Sequence, residues 1–569
     1  MKKYILFASS LFLFASCCTK SPEVPVCSGD EFKTEFILPQ RIVRATGNIQ
    51  NPEQLLAPYP GQVSTNEDNY VSMAPGSSVL LDFGKELHGG IEIVRTISGS
   101  HDPARFRLCL GESVSEAMSS VKETGSTATN DHASREMDIF VPWLGSLRVG
   151  NSGFRFARLD LLDGEDIEIL AVRAVSVMRD IPYLGSFSCS DDRLNEIWQT
   201  GAYTVHLCMQ DYLWDGIKRD RLVWMGDMHP EVMTANTVFG DQYVIRKSLD
   251  YVRDKTAPTD WMNGICSYSL WWIIIQHHLY NWYGDLDYLS QQKEYLTALL
   301  HSVMANFKDG KENFTEGRFI DWPSNDYPEV IHAGLQALSV RAMDAGADMA
   351  GWLGDEALKD ECLKQASALR GYVPSTAGNS QAAALLAISG MLDAGQAGAL
   401  IVENGPEKFT SFMGYYLLEA LAKGGRYDDA LRLIREYWGR MIELGATTFW
   451  EDFNFEDGKN AARIDEIVPE GKFDIHADGG AYCYVGLRHS FRHGWASGPT
   501  AWLSRHVLGI EPVEAGFKKV RIEPNLGELD WAQGTFPTPY GVIEVRHEKK
   551  ADGSVATSVK LPKGVKRVK

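Results

Sequence analysis

Between about Ser188 and Gly509 the apolar residues of this chain recur at helical spacing, whereas on either side they fall in short β-type runs cut by glycine, proline and asparagine. One ordinary core does not serve both patterns over 569 residues, so about two to four domains are expected, with the helical stretch as the largest. Within it, Leu194, Ile197, Trp198, Ala202, Val205 and Cys208 share one helical face behind Ser190 and Asp191, both good N-terminal caps. Comparable stripes follow at Leu358, Cys362, Ala366 and Leu369, and at Tyr416, Leu417, Ala420 and Leu421. Repeated amphipathic helices joined by glycine-containing loops predict an α/α toroid barrel, in which paired helices ring a pocket. The flanking runs, such as Val79 to Gly84, Arg155 to Asp160 and Val542 to Val545, predict antiparallel β-sandwiches. The expected fold class is therefore multidomain α+β. A barrel at residues 186–508 stands between an N-terminal sandwich at 36–185 and a C-terminal one at 509–569.

The first residues carry an address. Met1-Lys2-Lys3 is basic, Ile5 to Ala15 is apolar, and Phe14-Ala15-Ser16-Cys17 is a small-residue stop ending in cysteine. The apolar run is too short for a permanent span. Residues 1–17 read as a secretion signal whose end resembles a bacterial lipobox, with Cys17 as the lipidated residue, and residues 18–35 as an unstructured tether. The expectation is a lipid anchor in the outer membrane, facing the periplasm or the cell surface, and no other membrane contact. The remaining cysteines are widely and irregularly spaced, without zinc-ligand geometry, and read as buried small hydrophobes.

A formal charge of −19 repels polyanions and argues against a nucleic-acid partner. Neutral substrates meet no such barrier, and the 15 Trp and 22 Tyr supply flat rings for the apolar faces of sugars. Two stretches concentrate the chemistry. Trp214 to Asp227 packs Asp215, Asp220 and Asp227 with Lys218, Arg219, Arg221 and two indoles, Trp214 and Trp224, into one loop-like segment after the first barrel helix. Far along the chain, Trp450 and Glu451 set another carboxylate beside an indole. Glycosidic cleavage needs two such acids, one to protonate the departing oxygen and one to activate water or attack the sugar. Read as structure alone, the first stretch would be a salt-bridged connection and Glu451 a helix cap or ion-pair partner. No phosphate loop, His-Glu-x-x-His helix or Gly-x-Ser-x-Gly elbow occurs, so no cofactor or metal is expected.

These stretches resemble the inverting α-L-rhamnosidase family of six-hairpin glycosidases. Asp215 to Asp227 is similar to its Asp-x-x-x-Arg-Asp-Glu-x-x-Gly-Trp-x-Gly-Asp signature, and Ala446 to Glu451 to its Ala-Thr-Thr-x-Trp-Glu. Asp321-Trp322 resembles its Asp-Trp pocket element, and His493 to Gly498 a segment centred on histidine. The resemblance covers most of the mature chain and implies an exo-acting hydrolase that removes a terminal sugar from a glycan. It implies Glu451 as base, Asp220 as acid, and sugar contacts from Asp215, Arg219, Trp224, Asp227, Asp321, Trp322, Trp450 and His493. The chain departs from the pattern at one place: Arg219-Asp220-Arg221 is one residue short and lacks the family's acidic Glu, which leaves Asp220 as the nearest replacement and Glu231 as a rival. Two other classes stay open. A polysaccharide lyase would use His493 as base with Arg219 and Arg221 clamping a uronate, and a surface glycan-binding lipoprotein would hold sugar without cleaving it.

Overall fold

The computed structural model describes residues 31–64, 68–97, 101–120 and 135–568. Cys17, the signal and most of the tether lie outside the described residues.

The N-terminal domain is one nine-stranded antiparallel sheet: β1 Phe32–Ile37, β2 Arg41–Thr46, β3 Ile49–Gln50, β4 Val71–Met73, β5 Ser78–Arg95, β6 Ala104–Gly111, β7 Glu136–Val141, β8 Gly145–Leu161 and β9 Ile167–Arg179. Strand β5 pairs with β2 over Ser78–Asp82 and with β9 over Gly89–Arg95, so one long strand serves two sets of partners above a core of Phe83, Phe106, Phe154 and Leu159. The sequence suggested short strands. Gly84 and Gly89, at φ 85° and 144°, sit in register shifts where the strand bulges and bends without ending. The domain also starts earlier than residue 36. Phe32 already pairs with Arg179, but β1 is largely exposed and shows no apolar alternation to read.

The barrel follows: α2 Asp192–Cys208, α3 Met228–Val238, α4 Tyr243–Lys255, α5 Cys266–Tyr283, α6 Leu286–Met304, α7 Pro328–Trp352, α8 Glu356–Arg370, α9 Ser380–Ile388, α10 Ala394–Asn404, α11 Gly414–Lys423 and α12 Tyr427–Glu443. The five-residue α1, Val114–Met118, belongs to the N-terminal domain. As the pattern required, Asp191 caps α2 by accepting from the Arg193 and Leu194 amides, and the predicted apolar face is buried. Trp271, Trp272, Trp438 and Trp502 are fully buried between helices, each contributing about 3 kcal/mol or less by removing its ring from water. Among the described residues no helix is long and apolar enough to cross a membrane, and the six cysteines are free, five of them buried.

After a small hairpin within the barrel, β11 Phe307–Lys308 and β12 Lys311–Glu312, comes the C-terminal domain. Its four-stranded sheet runs in the order β10 (Ser186–Cys189), β15 (Trp531–Thr538), β16 (Gly541–Lys549), β17 (Val555–Lys560), and its three-stranded sheet holds β13 (Ile510–Pro512), β14 (Lys519–Ile522) and β18 (Lys566–Val568). Strand β10, Ser186–Cys189, precedes the barrel in sequence yet pairs with β15, Trp531–Thr538, and thus belongs to this domain and not to the barrel. That pairing ties the two ends of the barrel together.

Candidate active site

The segment 209–227 is irregular, and its shape comes from a few backbone anchors. The Asp215 amide donates to the Leu222 carbonyl (3.1 Å), the Leu222 amide returns to Asp215 Oδ1 (2.9 Å), and Gly494 donates to the Asp215 carbonyl (2.9 Å). Asp220 and Arg221 both adopt left-handed backbone, φ 53°, a strained conformation for two successive non-glycine residues. The result sorts the charges into three directions. Lys218 is fully buried against Glu116 (2.9 Å) and Glu112 (3.4 Å) of the N-terminal domain. Arg221 turns away to the Ile217 and Asn151 carbonyls and stacks over Trp214. Arg219 and Asp220 enter the barrel mouth.

There they meet a cavity of about 380 Å³, framed by the N-terminal ends of α3, α5 and α7. Asp215, Asp220, Asp227 and Glu451 supply its acids, Trp224, Tyr268, Phe319, Trp322, Tyr484 and Trp495 its rings. Arg219 donates to Asp220 Oδ1 through one terminal nitrogen (2.9 Å) and to Glu451 Oε1 through the other, while its Nε donates to the Arg488 carbonyl (3.1 Å). Asp220 also accepts from the Trp224 indole (3.2 Å). The second oxygen of Glu451 accepts from the Ser490 amide (3.3 Å). Asp227, at the first position before α3, accepts from the Tyr268 hydroxyl (2.9 Å). The Nε2 of His493 lies 3.5–3.7 Å from Asp215, Asp227 and Glu451.

Burial sets the protonation. It pushes Glu451 up to about 7, an effect that Arg219 opposes and Asp220 reinforces. It raises Asp215 and Asp227 well above the ordinary carboxylate range, aided by their acidic neighbours, and holds His493 well below the usual imidazole value. The pocket thus offers neutral carboxyl groups and a neutral imidazole as hydrogen-bond partners for hydroxyls, around one fixed guanidinium.

Of the residues expected here, Asp215, Arg219, Asp220, Trp224, Asp227, Trp322, Glu451 and His493 line the cavity. Three do not. Trp450 is buried against Phe491 (4.3 Å, 19°) and Phe453, facing the core while its neighbour Glu451 faces the cavity. Asp321 is buried behind the wall, accepting from Gln381 (2.9 Å), Thr410 (2.7 Å) and the Trp322 amide, so it positions Trp322 and does not line this cavity. Glu231 is fully buried in α3, with its carboxyl against Gly494, where a Cβ would lie 1.5 Å from Oε1. Sequence reasoning missed Tyr268, Phe319 and Tyr484 as pocket residues. Their only signal is aromatic character near helix starts or in loops, and most such rings are core.

A β domain, an α/α toroid with an acidic, ring-walled mouth, and a second β domain define the class of this molecule. Residues 182–507 match the model of the bacterial α-L-rhamnosidase six-hairpin glycosidase domain, and residues 509–568 that of the bacterial α-L-rhamnosidase C-terminal domain. The chain belongs to this family. It is 25% identical over 545 residues to an α-L-rhamnosidase of Streptomyces avermitilis, a match covering 89% of this chain and 50% of that protein. The solved structure of the Streptomyces avermitilis α-L-rhamnosidase, complexed with L-rhamnose, superposes with a TM-score of 0.71 at 20% identity over 94% of this chain and 50% of that one. A rhamnosidase from Klebsiella oxytoca with rhamnose bound gives a TM-score of 0.65 at 18% identity, over 84% of this chain and 96% of that one. The chain thus spans about half the length of the curated relative above.

Proposed function

We propose that this protein is an exo-acting glycoside hydrolase that removes a terminal L-rhamnose or similar deoxysugar with inversion at the anomeric carbon. The observation that carries the reading is the convergence of Asp220 and Glu451, far apart in sequence, on one guanidinium in a ring-walled cavity roomy enough for a terminal sugar. In this reading Glu451 takes a proton from the attacking water and Asp220 protonates the leaving oxygen, on the opposite side of the sugar. For Asp220 to donate, one of its bonds from Arg219 and Trp224 must open as the glycosidic oxygen arrives. Asp215, Asp227 and His493 hold sugar hydroxyls, while Trp224 and Trp322 cover apolar sugar faces.

The lyase reading loses support because Arg221 is turned away and Arg219 is committed to two carboxylates, which leaves neither arginine free to clamp a uronate. A binding-only lipoprotein would show affinity without turnover. A panel of aryl glycosides including the α-L-rhamnoside, with proton NMR of the anomer first released, tests the assignment. Release of the β-anomer from the α-rhamnoside is expected; the α-anomer would indicate retention, and no release from any glycoside would leave a binding protein. The lipobox-like end at Cys17 supports anchoring to the outer membrane, in the periplasm or at the surface, with no nucleic-acid partner. Metabolic labelling with a fatty-acid probe, lost in Cys17→Ser, tests the anchor.

A further inference from the structure

A second cavity, of about 420 Å³, opens at the other end of the toroid. Along α5, His278 and Asn281 lie ten and thirteen residues beyond Tyr268 of the first pocket, about 15 and 20 Å at the helical rise. Between the two, His229 stacks on Trp271 (4.7 Å, 26°) and donates to or accepts from Tyr416 (2.9 Å) and His278 (3.1 Å). The cations of this cavity are not equivalent. Lys423 donates to the Ile388 carbonyl (3.3 Å) at the end of α9, where a cation is stabilised by the helix terminus. Arg505 is spent on Tyr415, Glu419 and Glu511. Arg341 differs from both. It projects from the middle of the 25-residue α7, away from any helix end, and among the described residues it makes no hydrogen bond or ion pair; its guanidinium carbon is 5.8 Å from the Trp271 ring centre. Burial opposes its charge. Arg341 is half-buried, and a partly desolvated guanidinium is stabilised best by a planar anion that takes two of its N–H donors at once.

The other polar groups suit a polyhydroxylated body. Arg505 and His506 both approach the same oxygen of Glu419 (3.1 and 3.0 Å), which leaves Oε2 available to a hydroxyl donor. His278 engages His229 through Nδ1, so its Nε2 is available too. We propose that this cavity binds a small carboxylate of the sugar-acid class, its carboxylate paired with Arg341 and its hydroxyls reaching Glu419, His278 and Asn281. The site is separate from the glycosidase pocket and does not depend on the reading of that pocket.

The test is a titration of the full chain with D-glucuronate, with D-glucose as the neutral counterpart and inorganic phosphate as a competing anion, followed by tryptophan fluorescence and by Tm. A saturable response to glucuronate and none to glucose is expected. Asp220→Asn should leave it unchanged, and Arg341→Gln should weaken it at least about tenfold, the loss of a charge-assisted pair. Arg341→Lys, which keeps the charge but not the fork, should also weaken it while folding normally. No response up to tens of millimolar, equal affinity in Arg341→Lys, or loss of the response in Asp220→Asn overturns the proposal. Displacement by phosphate at lower concentrations than glucuronate overturns the carboxylate assignment.

Discussion

At the scale of single residues, Arg219 is the hinge of the chemistry. It holds Asp220 and Glu451 on separate nitrogens of one rigid fork, so the two acids cannot drift independently. Under the proposed mechanism, Asp220→Asn and Glu451→Gln each lower kcat by about 10²- to 10⁴-fold, the usual scale of general acid–base catalysis, while circular dichroism and Tm stay near those of the parent. Full activity in Asp220→Asn would move the acid role to another group. Glu451 must be ionised to accept a proton from water, and burial places it at about 7. As pH falls below that value the base is progressively protonated, so kcat/KM is expected to fall about tenfold per unit on the acidic side. A flat profile from pH 7 to 5 would show that Glu451 is not the base. Residue-level roles were only partly legible in the sequence. A motif gives the order of side chains and not their direction, which is why Glu451 was found in the pocket and Trp450 beside it was not.

At the scale of elements, the barrel mouth leans on the N-terminal domain. Glu112, just after β6, accepts from the Phe491 amide (2.7 Å) and the Ser490 hydroxyl (3.4 Å), and Ser490 in turn donates its amide to Glu451. Lys218, one residue before Arg219, donates to the Leu487 and His489 carbonyls (2.7 Å each) and pairs with Glu112 and Glu116. Glu112, Glu116 and His476 are close enough to resemble a metal site, but the Lys218 ammonium already compensates both carboxylates. The cluster is best understood as a brace that sets Glu451 and Arg219 from behind. Glu112→Gln is therefore expected to lower kcat by about ten- to a hundredfold with KM changed little, since a small misplacement of reacting groups is costly. It should also move the acidic limb of the pH profile, a shift that a general loss of stability would not produce. An unchanged kcat and limb would remove Glu112 from the positioning set.

At the scale of the whole molecule, the buried titratable groups predict how stability responds to pH. Glu451 and Asp452 are raised by burial to about 7 and Asp321 to about 6, so between their unfolded values and these the folded state holds more protons than the unfolded one. Stability from these groups declines as pH rises. Buried histidines act in the opposite sense: His88 and His476 are lowered to about 3 and His206 and His547 to about 4, which favours folding as pH rises toward the unfolded imidazole value of about 6.5. The histidine contribution is complete only about one pH unit above that value. The carboxyl contribution is therefore read as a difference: between about pH 5 and pH 7.5 the combined Glu451→Gln and Asp452→Asn variant is expected to lose less Tm, or gain more, than the parent. The same pH dependence of Tm in variant and parent would contradict the burial of these acids.

The sequence by itself determined the three-part architecture, the caps and faces of the helices, and most of the pocket acids, because periodicity and short motifs are local and survive in one dimension. It did not determine where strands bend, since a glycine that continues a strand and one that ends it are written alike. Nor did it place β10, whose partner β15 lies some 340 residues away. The inward turn of Arg219 against the outward turn of Arg221, the brace at Glu112 and the second cavity at Arg341 follow from contacts between distant segments. Those depend on which surfaces the packed domains bring together, and only the tertiary structure decides that.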